Sequence, residues 1–88
     1  MNPSYADKGL AVKNNCLACH AVKEKILGPS FQAVAQKYAN IPDAQKVLMQ
    51  HIMQGGSGRW GDIPMPPQTQ LSPTEASQLA SWILKGSP

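Results

Sequence analysis

Apolar residues recur along this chain at spacings of three and four, with no sustained alternation of the kind a half-buried strand requires. The clearest stripe is Phe31, Val34, Ala35 and Tyr38, at i, i+3, i+4 and i+7, directly after Pro29 and Ser30. A second stripe, Val47, Leu48 and Ile52, starts near Pro42 and Asp43 and stops at Gly55 and Gly56, a helix-ending pair. A third, Ala76, Leu79, Ala80 and Ile83 with Trp82 beside it, opens at "SPTE". There Ser72 stands at the N-cap, Pro73 at N1 and Glu75 at N3, the capping-box arrangement. Toward the amino terminus, Ala6 and Leu10 share a face of a helix read from Ser4 to Lys13, with Ser4 and Asp7 at capping-box spacing. The pattern predicts an all-α fold of four short helices, with no internal repeat or low-complexity tract.

Between the third and fourth helices runs "GGSGRWGDIPMPPQTQL", residues 55–71, rich in glycine and proline. A loop of this length in a compact domain is usually functional. Within it Met65 stands between Pro64 and Pro66, with Pro67 following. Proline fixes φ, removes an N–H and pushes its predecessor toward extended backbone, so neither helix nor interior strand is possible there. A core-filling methionine normally sits on a helix, so this stiffly framed thioether asks for another explanation.

At 88 residues the chain is expected to form one domain, residues 1–88, too small to bury a large core unaided. No apolar run approaches a membrane span, and no basic region followed by an apolar stretch marks a signal peptide. Met1 directly before "NPSYADKG" reads as a new start codon on a mature domain. Eight basic residues against five acidic ones give a charge of +3, scattered rather than clustered. Without aromatic and basic residues interleaved, nucleic acid is not an expected partner. A mild preference for acidic partners is all that the balance supports.

Both cysteines fall in "CLACH", residues 16–20. Cys-x-x-Cys serves redox disulfides, half zinc sites and, with histidine next, covalent haem attachment. A structural zinc site wants four ligands, and beyond Cys16, Cys19 and His20 only the distant His51 is available. A thioredoxin-like pair needs strands, and none are visible. Haem attachment has a geometric rationale: two thiols add across the vinyl groups of one porphyrin edge, and the following histidine binds iron beneath the ring. Met65, 45 residues on (65 − 20), then supplies a sixth ligand from a loop that cannot wander. A Met/His axial pair raises the reduction potential, because soft sulfur favours iron(II). Met49 and Met53, four apart on the third helix, read as flexible filler at the core edge. His51, in "MQHIMQ", reads first as a solvated side chain, with bis-histidine ligation as the lesser alternative.

With "CLACH", "LGPSF", "GGSGRWG", "IPMPPQ" and "LASWILK" in this order, the sequence resembles the small bacterial class I cytochromes c over nearly its whole length. More narrowly it is similar to the short monohaem type that delivers electrons to nitrite reductases and terminal oxidases. The resemblance implies four short helices wrapped around one covalently attached haem c with its iron. Cys16 and Cys19 match the thioether cysteines, His20 the proximal ligand and Met65 the distal one. Pro29 matches the proline whose carbonyl accepts a hydrogen bond from the proximal histidine, which fixes the ring and raises its basicity. Trp60 matches a tryptophan that reaches a haem propionate, and Gln68 an amide that touches the methionine sulfur. Phe31 stands where relatives often carry tyrosine. His51 stands where they carry lysine or arginine, which places it near the propionates and predicts a potential that depends on pH. Arg59 replaces a small apolar residue.

The expected function is a one-electron carrier rather than an enzyme. A haem enzyme or gas sensor with an open distal site is the alternative, and the chain lacks a distal His–Arg pair for peroxide chemistry. Expected partners are a terminal reductase or oxidase and an upstream membrane donor complex, met through a haem edge ringed by lysines such as Lys13, Lys23 and Lys25. A periplasmic monomer without membrane insertion is expected. Leu17, Phe31, Val34, Leu48, Ile52 and Ile63 are the expected haem walls, and the chain without haem is expected to be largely disordered.

Overall fold

The computed structural model describes residues 3–58 and 64–87, with side chains from Lys8 onward. Four α-helices appear in the expected order: α1 (Pro3–Lys13), α2 (Phe31–Tyr38), α3 (Ala44–Gln54) and α4 (Pro73–Leu84). The described residues contain no strand; two isolated antiparallel bridges, His20 with Lys25 and Gly56 with Met65, pin loops.

Local chemistry sets most of the helix ends. Ser30 caps α2, its hydroxyl accepting from the Ala33 N–H at 3.0 Å. The box at α4 is complete: Ser72 Oγ accepts from the Glu75 N–H at 3.1 Å, and Glu75 Oε1 accepts from the Ser72 N–H at 3.0 Å. Those bonds hold the Glu75 carboxyl below its ordinary range. α3 starts differently, after Asp43 in the left-handed region at φ 57° and without a side-chain cap. It ends at Gly55, φ 68°. α1 begins at Pro3, so Ser4 lies inside the helix rather than at its cap; the Ser4, Ala6 and Asp7 side chains fall outside those described.

α4 is the hub, packing against α1, α2 and α3. It buries Ala76, Leu79, Ala80, Trp82 and Ile83, so Trp82 is core rather than beside it. Phe31, Val34 and Tyr38 come in from α2, Leu48 and Ile52 from α3, Ala11 from α1, and Leu71 from the loop before α4. Met49 and Met53 pack half-buried at the core margin, as flexible thioethers commonly do. Gln45 crosses from α3 to α4, donating to the Ser77 carbonyl at 3.0 Å and hydroxyl at 2.9 Å. No helix among the described residues is long and apolar enough to cross a membrane.

Candidate functional site

Between α2, α3, α4 and two loops lies an apolar cavity of about 200 Å³. Its apolar walls lack packing partners across the hollow, which suits it as a seat for an apolar ligand that completes the core.

One wall comes from the cysteine segment. α1 ends, and Asn15 turns the chain through the left-handed region at φ 60° into a short 3₁₀ turn, Cys16–Ala18. The His20 N–H closes back on the Cys16 carbonyl at 2.9 Å. This winding puts Cys16, Cys19 and His20 on the same cavity wall. It also turns Leu17 outward, 38% exposed, so Leu17 does not join the walls as expected. Both cysteines are free thiols, half-buried. Burial pushes the Cys16 thiol up and neighbouring Cys19 adds to this, while a backbone hydrogen bond opposes it.

His20 is held on three sides. Its Nδ1 lies 2.7 Å from the Pro29 carbonyl oxygen. A carbonyl can only accept, so Nδ1 carries a proton and Nε2 is the nitrogen left to offer a lone pair to a metal. The ring stacks on Phe31, centroids 5.2 Å apart and planes 18° apart, and Phe31 in turn meets Trp82 edge-on at 5.6 Å. Gly28 closes the third side: a Cβ there would stand 2.5 Å from Cε1, 2.8 Å from Nδ1 and 3.0 Å from Nε2 of the imidazole.

The facing loop carries Met65, half-buried, which lines the same cavity with Pro64 and Pro66. Gly56 and Met65 exchange backbone bonds of 3.0 and 2.8 Å. Gly55 makes room for them, since a Cβ there would run into the Met65 carbonyl and the Pro66–Pro67 backbone. Gln68 donates from Nε2 to the Pro66 carbonyl at 3.0 Å. His51 also lines the cavity and meets Tyr38 edge-on, ring centroids 6.0 Å apart, so it is not simply a solvated side chain.

Cys16, Cys19, His20, Pro29 and Met65 thus share one cavity, with Phe31, Val34, Leu48 and Ile52 among its walls. Trp60, Arg59 and Ile63 lie outside the described residues. Among the described residues no three His, Cys, Asp or Glu side chains converge to hold a metal ion. The roles of Gly28 and Gly55 were not read from the sequence, where one is a loop glycine and the other a helix stop.

The cytochrome c family model matches residues 6–87. The chain belongs to the cytochrome c family. Cytochrome c-552 of Nitrosomonas europaea is 51% identical over 81 residues, covering 92% of this chain and 79% of that one. Cytochrome c-552 of Hydrogenobacter thermophilus is 48% identical over 81 residues, covering 92% and 82%. The crystal structure of wild-type Nitrosomonas europaea cytochrome c552 superposes with a TM-score of 0.85 at 49% identity, covering 89% of this chain and 96% of that one. As a small class I monohaem cytochrome c, the protein carries one covalently attached c-type haem with its iron and serves electron transport. The cavity fits that group by its apolar walls, its two free thiols and a ring nitrogen with an uncommitted lone pair.

Proposed function

We propose that this protein is a one-electron carrier whose haem would be tethered by thioethers from Cys16 and Cys19, with His20 and Met65 as the ligands of its iron. The observation that carries the reading is one cavity lined by the cysteine pair, a histidine with its Nδ1 proton committed to Pro29, and a proline-framed methionine. The haem supplies a reversible one-electron couple. The chain's own work is to keep both ligands in place in both oxidation states, so that little rearrangement accompanies transfer. Pro29 orients His20 and raises its basicity, the stiff "IPMPPQ" segment restrains Met65, and the thioether favours iron(II). Trp60 is proposed to reach a propionate and Gln68 to touch the methionine sulfur.

The chain works as a single domain in the periplasm, as a monomer, between an upstream membrane donor complex and a terminal reductase or oxidase. Leu27 lines the cavity mouth yet is 54% exposed, and Lys23 and Lys25 are exposed in the same segment. This apolar point with positive neighbours suits brief, salt-sensitive docking to acidic redox partners. The test is an absorption spectrum of protein matured by a cytochrome c assembly system. The reading expects low-spin haem with a weak near-red band from sulfur-to-iron charge transfer, and a high-spin spectrum would overturn it.

A further inference from the structure

The Met65 loop is joined to the end of α1 by an unbroken run of side-chain amides. Asn14, directly after α1, donates from Nδ2 to the Leu10 carbonyl at 2.8 Å. Gln70 Nε2 donates to Asn14 Oδ1 at 3.0 Å and to Gln68 Oε1 at 2.8 Å. Gln68 Nε2 donates to the Pro66 carbonyl at 3.0 Å.

The two ends dictate the direction of every amide. The Leu10 and Pro66 carbonyls can only accept, so Asn14 and Gln68 turn their NH₂ groups outward to them and their oxygens inward to Gln70. Gln70 has two N–H donors and meets two oxygens. Flipping any one amide sets donor against donor or acceptor against acceptor.

The segments joined in this way matter for the site. Asn14 immediately precedes Asn15, whose left-handed backbone starts the turn that carries Cys16, Cys19 and His20. Pro66 immediately follows Met65. The loop is also tied to the end of α3, by the paired Gly56 and Met65 bonds and by the Gln68 N–H to the Ile52 carbonyl at 3.1 Å. Gln70 supplies the connection to the other side, across 56 positions of sequence. Gln68 is then more than a neighbour of Met65, because its amide orientation is set by Gln70.

We propose that Asn14 and Gln70 are positioning residues that, through Gln68, hold the Met65 loop against the haem-attachment segment and oppose departure of Met65 from the iron. The proposal rests on the His20/Met65 ligation argued above. These bonds compete with water, so removing the run should favour the opened loop by only about 5- to 10-fold.

Imidazole added to the ferric holoprotein reads this directly, since it can reach the iron only when Met65 leaves. Gln70→Leu and Asn14→Ala should each bind imidazole about 5- to 10-fold more tightly than the parent, with the near-red band intact in its absence. Because one run is broken at either residue, the double variant should match the single ones rather than multiply their effects. Gln70→Glu, which cannot donate to either oxygen, should behave like Gln70→Leu. Hydrogen exchange at the Met65 and Gly56 amides should quicken while α4 is unchanged. Parental imidazole affinity in the variants, multiplied effects in the double variant, or exchange quickened equally in all helices would overturn the proposal. A parent protein lacking the near-red band would overturn the ligation instead, and exchange at Met65 and Gly56 would still decide whether the amides hold the loop.

Discussion

At the scale of single residues, the hydrogen bond from His20 Nδ1 to the Pro29 carbonyl both selects the tautomer and aims the ring. Phe31 and Gly28 then leave the imidazole little room to turn. Gly28→Ala tests this packing, because its Cβ would meet three ring atoms at 2.5–3.0 Å. The ring must shift, so the variant should lose about 1–3 kcal/mol of stability, typical of overpacking. Its melting temperature and its reduction potential should fall together, whereas a parental potential would show the ring to be indifferent to Gly28. That Cys16, Cys19 and His20 lie together was legible from five letters, since their spacing is local. Gly28 was not, because its importance is a close approach between residues eight apart (28 − 20) that no periodicity reports. Leu17 shows the opposite failure. Its type suggests a wall, but the 3₁₀ turn around it faces it outward.

Helices were legible to the extent that their ends carry their own chemistry. α2 and α4 begin where Ser30 and Ser72 predict, because each serine satisfies an N–H the helix cannot. α3 ends at Gly55 because a positive φ is needed there, and the same glycine admits the Met65 carbonyl. Only the first of those roles is visible in a helix-stop pattern. The Cys16–Ala18 turn was missed because three residues carry no period. The cap at α4 makes a pH prediction. Glu75 is depressed in the folded state, chiefly by the Ser72 backbone bond, so its contribution is full above the ordinary carboxylate range and is lost as pH falls through and below that range. Ser72→Ala should lower stability by about 1 kcal/mol at neutral pH. Glu75→Gln, which removes the titrating carboxyl, should flatten the acid limb of a thermal-melting profile, and an acid limb identical to the parent's would remove Glu75 from that role.

For the whole molecule, the cavity explains how so short a chain folds. Three helices converge on α4, yet the buried faces of α2, α3 and α4 leave about 200 Å³ between them. The helices could be read from the sequence, but the cavity could not, because it exists only once α2, α3, α4 and both loops are assembled. Haem and fold are accordingly expected to form together. Circular dichroism of the chain expressed without haem should show most helix lost and no cooperative melt. A cooperative melt of the apo chain would mean that the core closes without its cofactor. The central claim is that Met65 and His20 would both bind the haem iron. It is tested most directly by comparing ferric spectra and reduction potentials of the holoprotein and its Met65→Ala variant. The account predicts that the variant loses the near-red band and that its potential falls by at least about 60 mV, a tenfold change in relative preference for iron(II). An unchanged band and an unchanged potential would contradict it.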